Sequence, residues 1–163
     1  MSPIVDLQIA CELAVPELSE LEEWVKITLA GFNLTNSEVT IRFVEREESR
    51  SLNHQYRDKN KATNVLSFPF DCPPDIRLNF IGDLVICPAV MLEEAQQQQK
   101  LPSDHYAHLV IHGILHLIGY DHIEMSQAEE MESLEIRLLA KLGIDDPYQD
   151  HWLLTADKGT LKK

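Results

Sequence analysis

The run from His105 to His122, HYAHLVIHGILHLIGYDH, leaves this chain the fewest choices. It holds five of the seven histidines. From Ala107 to Ile118 every residue except His108, His112, Gly113 and His116 is aliphatic. A run of that length and composition predicts a helix that is apolar nearly all round and therefore buried. Buried imidazole is costly unless something satisfies it. His112 and His116 stand four apart, one turn above each other, about 6 Å along the axis. Gly119 follows and tolerates the left-handed backbone that ends a helix. The chain can then turn back and bring His122 to the same point. Two imidazoles from one face and a third from the next turn make a three-nitrogen metal site with a fourth position open, the catalytic pattern for zinc.

The spacing His-x3-His-x5-His also occurs in zinc peptidases, where a glutamate after the first histidine is the base. Here that position is Gly113, so the peptidase base is missing. A glycine inside a helix costs about 1 kcal/mol relative to alanine. Two readings explain it: open space for a bulky substrate before the metal, or close packing of helix on strand. His108, His112 and His116 lie on one straight stripe and cannot all converge on one ion, so His108 is expected to be a satisfied, buried or half-buried histidine. His105, in the first turn, is expected to be exposed. Asp121 either orients a ligand imidazole, acts as a base, or is a turn residue.

A chain of 163 residues suits one domain with a real core, here 1–163 with a loosely ordered tail from about 150. A net charge of −13 argues against general polyanion binding. The N-terminus lacks the basic region of a secretory signal, and no apolar run reaches membrane-spanning length. Cys11, Cys72 and Cys87 are far apart without CxxC spacing, as expected for free thiols in a reducing cytoplasm.

Periodicity predicts the rest. Ile4 to Ala10 alternates as a strand with Val5, Leu7 and Ile9 inward. Pro16 to Ala30 reads as a helix with Leu18, Leu21, Val25 and Leu29 as its stripe and Gly31 as its cap. Val39, Ile41 and Phe43 mark a second strand. Glu47 to Arg57 reads as a short helix burying Leu52 and Tyr56. Asn64 to Phe70 is a third strand ended by Pro69, and Phe80 to Cys87 is its hairpin partner. Pro88 starts a helix running toward Lys100, with Gln96 to Gln99 as a solvated stretch. Pro102 and Ser103 start the histidine helix. Ser126 and Glu129 form a capping box for a last helix lined by Met131, Leu134, Leu138 and Leu142 and ended by Gly143. The order is β-α-β-α-β-β-α-α-α. It predicts an α+β fold, a small mixed four-stranded sheet covered by helices with a central buried histidine-bearing helix.

Charge is uneven. Residues 42 to 61 carry six of the 14 basic residues against four of the 27 acidic ones, a net +2 beside −15 for the remainder. Such an island can guide a phosphate-bearing ligand, or it can be a helix laced with ion pairs. Arg57 stands apart, where the short helix meets a loop, and there its planar fork can face a phosphate.

Three stretches, LNHQYRDKNKATNVLSFPF (52–70), IGDLVICP (81–88) and HGILHLIGYDH (112–122), resemble the YbeY family of bacterial metal-dependent endoribonucleases, in matching order from about residue 37 to 143. One departure is Asn64, where the family usually has Asp. The resemblance implies His112, His116 and His122 as ligands of a metal, usually zinc, and Arg57 as an active-site residue facing it. It implies single-stranded RNA as substrate, the 3′ end of small-subunit ribosomal RNA as physiological target, ribosome quality control as the setting and ribosomal proteins as partners. Neither DNA nor a membrane is expected. Three imidazoles also suit nickel or another divalent transition metal. Other functions remain open: a metallopeptidase-like hydrolase, a non-enzymatic ribosome-assembly factor with a structural metal closed by Asp121, or a metal store, which one site per chain supports poorly.

Overall fold

A computed structural model describes residues 3–34, 36–70, 79–120 and 125–148. Asp121, His122, Cys72 and the predicted tail lie outside them. The elements follow the predicted order: β1 (Ile4–Ala10), α1 (Leu18–Ala30), β2 (Glu38–Val44), α2 (Arg46–Arg57), β3 (Val65–Pro69), β4 (Phe80–Ile86), α3 (Pro88–Gln97), α4 (Pro102–Leu117) and α5 (Met125–Lys141). The sheet runs β1-β2-β4-β3. β1, β2 and β4 are parallel, and β3 returns antiparallel to β4 with Val65 opposite Ile86 and Pro69 opposite Gly82. Pro69 ends an edge strand, where its missing N–H breaks no ladder.

The central strands are covered on both faces, so β4 is apolar without alternation from Leu84 to Ile86. Leu84 and Ile86 join Ile41, Phe43, Leu21, Val25, Leu29, Ile111 and Ile114 in the main core under α1 and α4. Val85 and Cys87 face the other way, with Val44 and Leu66, against Leu52 of α2. Edge strand β1 departs from its predicted inward row. Val5 is buried, but Ile9 is 57% exposed. In α1 the stripe holds at Leu21, Val25 and Leu29, while Leu18 in the first turn is exposed. Gly31 caps α1 as expected.

The inner face of α2 is polar, which the sequence reading missed. Leu52 is only half-buried and Tyr56 is 57% exposed, packed edge-on against Phe68. Ser49 and Asn53 are buried instead. The Ser49 hydroxyl donates to the Thr63 carbonyl and accepts from the Thr63 N–H, and the Asn53 amide donates to the Lys61 carbonyl at 2.9 Å. These bonds pin the loop entering β3 to α2, and Asp58 ends the helix in the left-handed conformation. α5 begins at Met125, so Ser126 lies inside the helix rather than capping it; its side chain is outside the described residues. Met131, Leu138 and Leu139 are its buried apolar residues, with Leu134 and Leu142 packed at the margin.

Candidate metal centre

α4 packs across β3 and β4 with Gly113 against the sheet. A Cβ there would lie 2.6 Å from Leu84 Cδ2, closer than real contacts allow. Close packing, not space for substrate, explains this glycine. At the far end Leu117 lies over Gly82, and Gly119 takes φ +114, the region only glycine enters readily. That bend lets the Tyr120 carbonyl fold back onto His116.

The helix presents His105, His108, His112 and His116 along one stripe. His105 is buried, at 4% exposure, against expectation: its Nε2 lies 2.9 Å from Glu94 Oε1, which also accepts the Asn64 amide at 2.9 Å. α3 covers this first turn of α4, which sequence periodicity alone does not reveal. His108 is half-buried as expected but only half satisfied: Nε2 lies 2.7 Å from Glu135 Oε1, while its buried Nδ1 has no hydrogen-bond partner among the described residues. Burial pushes its pKa down despite the neighbouring carboxylate, which favours the neutral ring.

His112 Nδ1 lies 2.8 Å from Glu135 Oε2, and His116 Nδ1 lies 2.9 Å from the Tyr120 carbonyl. A carboxylate and a carbonyl only accept, so both Nδ1 atoms carry the proton. In the neutral rings both Nε2 atoms then hold lone pairs, and they face each other at 3.2 Å. Two ligands of one tetrahedral zinc, each at about 2.0–2.1 Å, stand about 3.3 Å apart. The imidazole pair therefore fits a divalent ion, and the bonds to Glu135 and Tyr120 are those that orient metal-binding histidines. Of the three predicted ligands the structure brings His112 and His116 together; His122 lies outside the described residues.

A second donor set shares His112. His108, His112 and Glu135 offer ligand atoms within 4.8 Å of one another, a group that could hold a metal ion. Its 2.7 and 2.8 Å contacts are hydrogen-bond lengths. An ion there would displace two protons, whereas the Nε2 pair needs none removed.

Glu135 is the functional residue that sequence reading passed over. It is fully buried on α5, four residues after Met131. Burial alone would push its carboxyl up, but hydrogen bonds from His108 and His112 outweigh that and hold it well below the usual carboxylate range. The available signal was a carboxylate at an inner position of an amphipathic helix.

Arg57 is exposed and donates from Nη2 to the Ser67 carbonyl of edge strand β3 at 3.1 Å, on the sheet that carries α4. The rest of the basic island divides in two. Arg42 pairs with Glu48, Arg46 with Glu93 and Arg50 with Glu47. Arg57, Lys59 and Lys61 are exposed and, among the described residues, in no ion pair. Asn64 uses both ends of its amide, donating to Glu94 and accepting from the Val65 N–H. An aspartate there would set two carboxylates side by side.

A helix-borne imidazole pair on a mixed four-stranded sheet, with a buried carboxylate behind it, defines an α+β protein with a candidate metal centre. The family profile described as "Endoribonuclease YbeY" matches residues 10–143. "Endoribonuclease YbeY" of Alteromonas mediterranea is 53% identical over 154 residues, covering 91% of this chain and 98% of that protein. "Endoribonuclease YbeY" of Colwellia psychrerythraea is 53% identical over 152 residues, with the same coverage. The solution structure of TM1509 from Thermotoga maritima shares the fold, with a TM-score of 0.61 at 24% identity over 91% of each chain. This chain belongs to the endoribonuclease YbeY family.

Proposed function

We propose that this chain is a zinc-dependent endoribonuclease that cleaves single-stranded RNA, with His112, His116 and His122 as metal ligands and Arg57 as the phosphate clamp. The observation that carries the reading is the convergence of His112 Nε2 and His116 Nε2 at 3.2 Å, with both opposite nitrogens already committed. A divalent ion held there supplies a Lewis acid for a phosphoryl oxygen and lowers the pKa of water toward 7. The protein supplies neutral imidazoles that leave the ion its full charge. It also supplies, from α2, a cationic fork for the charge that builds on phosphorus. Lys59 and Lys61, in no ion pair among the described residues, add positive charge beside Arg57, which favours a polyanion on an otherwise acidic molecule. The physiological target is the 3′ end of small-subunit ribosomal RNA, reached in the cytoplasm on or near the small ribosomal subunit and its proteins, in ribosome maturation and quality control. Nickel or another divalent transition metal is the alternative cofactor.

The test is cleavage of a labelled single-stranded RNA with added zinc by the parent and a His116→Ala variant prepared side by side. Cleavage by the parent alone supports the proposal. Equal cleavage by both identifies a contaminant, and none by either moves the function to an assembly factor or another hydrolase.

A further inference from the structure

The metal reading leaves unused the buried cluster behind the imidazole pair. Glu135 has no exposure, yet it accepts three hydrogen bonds: from His108 Nε2–H, from His112 Nδ1–H and from the Tyr148 hydroxyl. The donors come from two separate parts of the chain, α4 and the segment after α5. That segment is itself tied down. Lys100 Nζ donates to the Pro147 carbonyl at 2.9 Å, and the Tyr148 N–H donates to Asp146 Oδ1 at 2.8 Å. The His108 ring stacks edge-on against Tyr148, with centroids 5.5 Å apart.

We infer that Glu135, held by Tyr148 and His108, is a positioning residue that locks His112 in its Nδ1–H tautomer and aims Nε2 at the metal. This rests on the metal reading above. A carboxylate has room for three donors and offers none of its own, so His112 cannot turn over without breaking a bond to it. His108 Nε2 serves with the Tyr148 hydroxyl as a donor to Glu135 Oε1, which fixes the carboxylate plane. Burial, and then the neighbouring carboxylate, push the Tyr148 phenol far up, so it stays an O–H donor across the accessible pH range. The segment after α5 is thereby linked to ligand geometry through two hydrogen bonds, Tyr148 to Glu135 to His112. Glutamine at 135 would present an NH2 group where a second acceptor oxygen now stands. Oε1 accepts two of the three bonds, so the remaining oxygen stays there, the NH2 faces His112 Nδ1, and that ring is forced into the wrong tautomer.

The test uses the full chain and zinc or cobalt ions as the probe. Affinity is measured against a competing chelator for the parent, Glu135→Gln, Tyr148→Phe and Glu129→Gln. The last removes the same charge from an exposed position of α5 and serves as the control. Nitrogen NMR of the metal-free proteins reports the His112 tautomer, and circular dichroism reports the fold. Glu135→Gln should weaken metal binding about 10–100-fold, the range for losing a carboxylate partner of a ligand histidine. It should also shift His112 away from Nδ1–H and change the cobalt absorption. Tyr148→Phe should weaken binding about 2–10-fold, the loss of one hydrogen bond, and Glu129→Gln should match the parent. Parental affinity, spectrum and tautomer in a folded Glu135→Gln protein would overturn the inference. Should that variant not fold, Tyr148→Phe decides, and parental behaviour there overturns it. If the parent binds no metal, the reading in the preceding section fails, while the His112 tautomer in parent and variant still decides this one.

Discussion

Gly113 separates two explanations with one methyl group. Gly113→Ala places a Cβ 2.6 Å from Leu84 Cδ2, 3.1 Å from Cδ1 and 3.4 Å from Cγ. Leu84 is fully buried on central strand β4, so its methyls cannot swing into solvent. Inserting a methyl into a packed core costs about 1–3 kcal/mol. Replacing a helical glycine by alanine returns up to about 1 kcal/mol. The net expectation is a loss of about 1 kcal/mol, or roughly 2–4 °C in Tm for a chain of this size. The assay is urea and thermal unfolding of the metal-free protein. A cycle with Leu84→Ala sharpens it: with Leu84 shortened, Gly113→Ala should become neutral or stabilising, a coupling of about 1–2 kcal/mol. A Gly113→Ala protein as stable as the parent or more so, with no coupling to residue 84, would refute close packing. It would return this glycine to a role in front of the metal.

Three further outcomes follow from the same contacts. Asn64→Asp removes a 2.9 Å hydrogen bond to Glu94 and sets two carboxylates together. It should cost on the order of 1–3 kcal/mol at neutral pH by urea titration; like charges raise the carboxyl pKa, so the loss should shrink as pH falls below about 5. At Glu94 burial works to raise the pKa, but bonds from His105 and Asn64 hold it below its ordinary 4.5. A depressed carboxyl stabilises the fold above its unfolded pKa and loses that effect as pH falls through the folded value. The Tm advantage of the parent over Glu94→Gln should thus be full near pH 6 and shrink toward pH 3, and a pH-independent difference would contradict the assignment. Arg57→Ala should reduce RNA turnover on the order of 10²–10³-fold with metal content unchanged; loss of metal instead would make Arg57 structural.

Much of the architecture is local and was legible in the residues. Alternation in Val39, Ile41 and Phe43 placed β2, the Pro69 stop and hairpin spacing paired β3 with β4, and Pro88 and Pro102 opened the helices they were expected to open. The convergence of His112 and His116 was equally legible, because residues four apart on a helix meet whatever surrounds them. Local pattern misjudged exposure wherever a distant element decided it. Tyr56 lies at a position that would be inward, yet α2 turns Ser49 and Asn53 toward the loop at 61–63 instead. His105 looked like a first-turn surface residue until α3 brought Glu94 over it. Ile9 continues the apolar row of β1 yet lies exposed on this edge strand.

The sequence by itself determined that two imidazoles share one helical face, that a glycine bends the chain after them, and that helices cover a mixed sheet. Tertiary structure alone decided what stands behind those imidazoles. Glu135 lies 23 residues from His112, and Tyr148 lies 40 from His108. Helical periodicity places each side chain on a face of its own helix but carries no information about which face of another helix it will meet. That pairing is set by how α4 and α5 pack, and it gives the carboxylate its donors and His112 its tautomer.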